Sequence, residues 1–178
     1  QKFVDGLGDR RIRFHQQKEN GGEYGQGRYF FAQAKHSQYF MILHDDDFLN
    51  PDYLDKAVAG LEANNDSAYF VADADIVDEH GDKSDKLKRD FLREHGRSNA
   101  QQGEFLVLDR HLQCGFTLIS STLFRTETLT ASGFVDPKGR GNYPFECDIF
   151  LRLGDLGAKA WYQKEELLTF RFHSGSMR

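Results

Sequence analysis

The sequence predicts an α/β domain, a β-sheet with helices on both faces, with residues 1–178 forming one unit. Two patterns carry this prediction. Short apolar runs such as Tyr39–Leu43 and Ala68–Ala72 alternate with segments of helical period, and that alternation marks a sheet covered by helices. The chain, at 178 residues, is also long enough for one hydrophobic core. Its apolar fraction of 39%, with 16 phenylalanines, argues against disorder despite 29% charged residues.

Taken in order, residues 10–14 (RRIRF) alternate polar and apolar side chains as a short strand does. Residues 19–27 (ENGGEYGQG) are rich in glycine and read as a flexible connection, because no phosphate-cradle spacing follows a strand here. Residues 28–36 have a helical pattern, and Tyr39–Leu43 fits a buried strand. Asn50 suits a helix N-cap, Pro51 the first helical position, and Leu54, Ala57, Val58 and Leu61 recur on one face. Ala68–Ala72 predicts a second buried strand, with a shorter one at Ile76–Val77 closed by the His80-Gly81-Asp82 turn. The stretch from Asp82 to Gln102 is polar and carries a surface helix over residues 86–95, stopped by Gly96. Residues 116–129 supply a strand and then a helix, and residues 133–144 a loop with three glycines and two prolines. Residues 145–157 (FECDIFLRLGDLG) form a helix ended by Gly154 or Gly157, and short strands at residues 160–162 and 167–172 complete the pattern.

Composition removes several classes of partner. The net charge is -5 and the basic residues are scattered, the densest being Lys86–Arg89, so no nucleic-acid footprint is expected. Cys114 and Cys147 lie far apart without paired spacing, which predicts reduced thiols in a cytoplasmic protein. Apolar runs of five to six residues fall far short of the roughly 20 that span a bilayer. Peripheral membrane contact and pairing with a second copy stay compatible with the sequence. The chain starts at Gln1 rather than Met, as an internal piece of a longer protein does.

Asp45, Asp46 and Asp47 follow the Tyr39–Leu43 strand directly. Adjacent like charges repel by roughly 1 kcal/mol per pair in water-like surroundings, and by more where solvent is scarce. A cation relieves that repulsion. In an open α/β sheet the carboxyl ends of strands are where ligands bind, and Mg²⁺ or Mn²⁺ there takes one or two carboxylates and fills its other positions with phosphate oxygens and water. The alternative is a solvated turn whose acids favour the start of the following helix.

The segment YFMILHDDDFLNPDYL, residues 39–54, resembles the metal-binding segment of the family 2 glycosyltransferases of the GT-A fold, in which a strand ends in a D-x-D cluster and a proline then opens a helix. DRRIRFHQQKENGG upstream, FTLISSTLFRTETLTASGFVD downstream and FECDIFLRLGDLGAKAWY, similar to the family's E-D-x-D-L-x-x-R-L helix, follow in the family's order. The resemblance implies a GT-A type, Rossmann-like mixed sheet with its amino-terminal strands missing. It also implies a metal-dependent, inverting hexosyltransferase that moves a sugar from a nucleotide diphosphate sugar to a hydroxyl of a glycan or lipid-linked saccharide, with Mn²⁺ or Mg²⁺ as cofactor.

Residue by residue, the resemblance makes Asp46 the metal-binding aspartate, with Asp45 and Asp47 as metal, ribose or sugar contacts. His44 departs from the pattern, since many members carry an acid there. Glu146 falls on the catalytic base and Asp148 is the fallback, although an ion pair with Arg152 one helical turn on is the simpler role for Asp148. His173 is a candidate for metal or phosphate, Arg171 and Arg178 for phosphate, and Arg28 for the nucleotide. A nucleotidyltransferase of similar architecture and an inactive metal- or nucleotide-binding homologue are the rival readings.

Overall fold

A computed structural model describes residues 2–141 and 145–173. Its sheet is built around two long strands, β3 (Ser67–Val77) and β6 (Lys159–Arg171), which run parallel. β5 (Thr122–Arg125) lies antiparallel to β3, and β1 (Tyr39–Met41) antiparallel to β5, on the outer edge. Beyond β6 lie the two-residue β2 (Phe48–Leu49) and β4 (Gly103–Leu106), both antiparallel to it. The sheet is mixed, as expected. Two antiparallel steps make β1 parallel to β3 and β6, so the carboxyl ends of all three strands share one edge.

β3 is buried on both faces, and its side chains alternate between two cores, as the period of a strand requires. Tyr69 and Val71 enter a core with Ile149, Phe150 and Leu153 of α7 (Phe145–Asp155), Val107 of α5 (Val107–Cys114) and Leu129 of α6 (Thr126–Ala131). Phe70 and Ala72 meet Tyr53, Ala57 and Leu61 of α3 (Tyr53–Ala63) on the other face. Ala74 and Ile76 meet Phe91 of α4 (Asp85–Glu94). Helices therefore cover both faces. Ser84 caps α4, its side chain accepting from the Leu87 amide at 3.3 Å.

Several elements differ from the sequence reading. Residues 10–14 form no strand; after the short α1 (Lys2–Gly6) they lie in a turn and loop whose Ile12 and Phe14 are about half exposed. Alternation alone does not make a strand without a partner to pair with. The glycine-rich stretch is largely helical, because α2 spans Gly22–Ala34. Gly27 is needed there for contact: a Cβ at this position would lie 2.4 Å from Cζ of Phe145, at the start of α7. The β3 and β6 regions, each expected as two short strands, are single strands interrupted by register shifts around Asp73. Asn50 does not cap α3; its side chain donates to the Glu166 carbonyl at 2.9 Å, and Asp52 takes the N-cap position. Asn142–Pro144, the end of the expected loop, and Arg178 lie outside the described residues.

Candidate functional site

The chain leaves β1 and turns sharply, the Asp47 amide donating to the His44 carbonyl at 3.4 Å. The turn is pinned from the neighbouring segment, where Ser120 Oγ accepts from the His44 amide at 3.3 Å. It gathers His44, Asp46 and Asp47 so that one ligand atom from each lies within 4.8 Å of the others. Asp45 is exposed and instead lines a cavity of about 490 Å³ with Glu23, Phe30, Phe40, His44 and Phe145. The turn therefore divides the triplet, setting Asp46 and Asp47 together and Asp45 on the adjoining cavity.

Asp47 is the most enclosed of the three, with 5% of its surface exposed. Its Oδ1 accepts the Arg171 backbone amide at 3.1 Å. Its Oδ2 is buried with no hydrogen-bond partner. Burial pushes the Asp47 carboxyl above the ordinary range, and the nearby Ser120 hydroxyl and Arg171 amide oppose the shift only in part. A buried carboxylate oxygen without a donor is costly, and a divalent cation with hard oxygen preference is the group that such an atom fits. Asp46 Oδ2 lies 3.1 Å from His173 Nε2, so the segment just after β6 meets the turn.

Glu146 reaches the same place from the first turn of α7, its Oε1 3.4 Å from His44 Nε2. Burial pushes its carboxyl up to about 7; the charges of Glu23 and Asp47 add to the rise and His44 opposes it. Asp148, about 200° further round the helix, faces elsewhere. It accepts from Arg152 Nε at 2.7 Å and from the Asp136 amide at 2.5 Å, beside a cavity lined by Tyr24, Arg140 and Arg152. Arg28 Nη1 donates to the carbonyls of Asp136 and Gly139 at 3.1 and 3.2 Å and so ties that loop to α2. The Arg171 side chain turns to the carbonyls of Asp78 and Glu79 and passes over the Phe48 ring. Of the sequence-predicted residues, the fold assembles Asp46, Asp47, Glu146 and His173; it sets Asp45 on the adjoining cavity and Asp148, Arg28 and the Arg171 guanidinium in loop-holding contacts.

Sequence reasoning missed three participants. His44 was a departure from pattern, yet it stands between the aspartates and Glu146. Glu23 lies in the stretch read as a loop, where three of its four nearest glycines mask the helical period. Ser120 sits in a 3-10 turn that no periodicity announces. A deeper network was hidden as well: Arg97, 1% exposed, donates to Asp73 Oδ1 at 3.1 Å while Tyr162 donates to Asp73 Oδ2 at 2.7 Å.

Residues 1–126 match the family model described as Glycosyl transferase family 2. No curated protein matches the chain.

Proposed function

The chain belongs to glycosyl transferase family 2, and from that premise we propose that it is a metal-dependent, inverting hexosyltransferase using a nucleotide diphosphate sugar as donor. The observation that carries the reading is the pairing of a buried, partnerless Asp47 oxygen with Glu146, a carboxyl raised to about 7, across His44. The matched residues end before α7, so the role of Glu146 rests on this geometry and on the helix motif.

Asp46 and Asp47 would hold Mn²⁺ or Mg²⁺, with His173 beside Asp46. An ion bound by these carboxylates would supply positive charge against the departing diphosphate. The cavity beside Asp45 lies against this corner, and its Phe30, Phe40 and Phe145 walls suit a nucleoside. Glu146 accepts the proton of the acceptor hydroxyl as that oxygen bonds to the anomeric carbon and the carbon–diphosphate bond breaks. A base poised near neutral pH contributes about 10² to 10⁴ in rate.

The acceptor class is a saccharide or a lipid-linked saccharide, and a lipid-linked acceptor would bring the protein to the cytoplasmic surface of a membrane. Among the described residues, no helix is long and apolar enough to cross one.

Calorimetry with UDP-, GDP- and TDP-sugars, with and without Mn²⁺, tests the reading. Saturable uptake of one donor only when metal is present is expected. Uptake of metal with no nucleotide would instead indicate a binding module.

A further inference from the structure

We propose that His44 is a metal ligand, and that its nitrogen sets the site's ion preference toward Mn²⁺ and Co²⁺ and away from Mg²⁺. Three observations converge. A ring nitrogen of His44 offers itself within 4.8 Å of ligand atoms from both Asp46 and Asp47. Asp47, at 5% exposure, belongs to the same group and carries a buried carboxylate oxygen with no hydrogen-bond partner. The position of His44 is fixed by the backbone, since its amide is held by Ser120 Oγ at 3.3 Å and its carbonyl by the Asp47 amide.

The chemistry follows from ligand type. Carboxylate and water suit Mg²⁺, whereas imidazole suits later first-row metals, whose affinity for nitrogen donors rises from Mn²⁺ to Co²⁺ and beyond. Mg²⁺ also demands near-ideal octahedral oxygen geometry and dehydrates reluctantly. Replacing an oxygen donor by imidazole therefore penalises Mg²⁺ more than Mn²⁺. Glu146, 3.4 Å from the same ring, is placed to orient it, as carboxylates behind metal-bound histidines do. The inference rests on the proposed function only in taking Asp46 and Asp47 as ligands.

The test titrates MnCl₂, CoCl₂ and MgCl₂ separately into the whole chain by calorimetry, with no nucleotide present. Mn²⁺ is expected to bind at least about tenfold more tightly than Mg²⁺, and Co²⁺ more tightly still. His44→Asn and His44→Asp, which supply oxygen donors without and with added charge respectively, should each narrow the Mn²⁺-to-Mg²⁺ ratio severalfold. An unchanged ratio in both variants, or equal affinities in the native chain, overturns the proposal. Pulsed electron paramagnetic resonance of the Mn²⁺-loaded His173→Gln chain, in which the imidazole beside Asp46 is gone, decides the matter even if the His44 variants fold poorly: nitrogen modulation supports it and its absence overturns it. A chain that binds Mn²⁺ and Mg²⁺ with equal affinity yet takes up a nucleotide sugar when metal is present keeps the transferase and loses the selectivity. One that binds Mn²⁺ through nitrogen yet takes up no nucleotide sugar keeps the selectivity and loses the transferase.

Discussion

At Asp47 one carboxylate oxygen is tied to the Arg171 amide while the other is buried bare. Asp47→Asn keeps the first contact and removes the enclosed charge, so in metal-free buffer the variant should be as stable as the native chain or more stable by about 1 kcal/mol. Its melting temperature should no longer rise with Mn²⁺, because an ion that binds only the folded chain stabilises it by mass action. Thermal melts with and without Mn²⁺ read both effects. Glu146 gives a prediction in pH. Burial pushes its folded carboxyl up to about 7 from an ordinary 4.5, so in metal-free buffer between those two values the folded chain holds a proton that the unfolded chain has lost. Stability assigned to this group is therefore highest below pH 4.5 and falls as pH rises from there through about 7. Glu146→Gln should remove that slope, measured as the difference in melting between pH 4.5 and pH 8. The same variant should leave donor affinity intact and cut transfer by about 10² to 10⁴. The aspartates and Glu146 were legible because acids at a strand end and at a helix start are spaced by the motif itself. His44 and Glu23 were not, since a departure from pattern and a helix written in glycines carry no local signal of the partners they meet in space.

Helix α7 depends on how closely α2 approaches it. Gly27 faces Phe145 with no room for a side chain, so Gly27→Val should displace the start of α7, destabilise the fold by about 1 to 3 kcal/mol and reduce transfer. Mn²⁺ binding at the β1 turn, which α2 does not form, should change far less; calorimetry beside a melt separates the two. The elements that sequence reading found best are α3, α4 and α7, whose apolar residues recur at helical spacing and face a core. It failed where tertiary contacts override local pattern. β3 reads as two strands because Asp73 and Asp75 interrupt its apolar run, and only the fold reveals that Asp73 is paired with Arg97 and hydrogen-bonded by Tyr162. The segment forming β4 and α5 was passed over, since a four-residue edge strand with a burial pattern of alternating partial exposure offers little to read. The expected strand at residues 10–14 had the reverse fault: it alternates, but no neighbouring strand pairs with it.

Across the whole molecule, the parallel set β1, β3 and β6 aligns three carboxyl ends, and this is what brings the turn after β1 and the end of β6 to one edge. The central pair is locked by the buried Arg97, which also donates to the carbonyls of Ala72 and Phe116 and lies against the rings of Phe116 and Tyr162. Removing one member of such a pair leaves an uncompensated charge, so Asp73→Ala should cost about 3 to 5 kcal/mol in a denaturant titration. The fold class was legible from alternation alone, whereas strand order and direction were not, because they are decided by pairings between residues distant in sequence. The proposed transfer needs a divalent cation at the corner made by Asp46 and Asp47. Anomalous diffraction from a crystal soaked with MnCl₂ and a nucleoside diphosphate measures that directly: the account predicts a manganese peak ligated by these two carboxylates and by diphosphate oxygens, and a manganese-free corner with the nucleotide bound would contradict it.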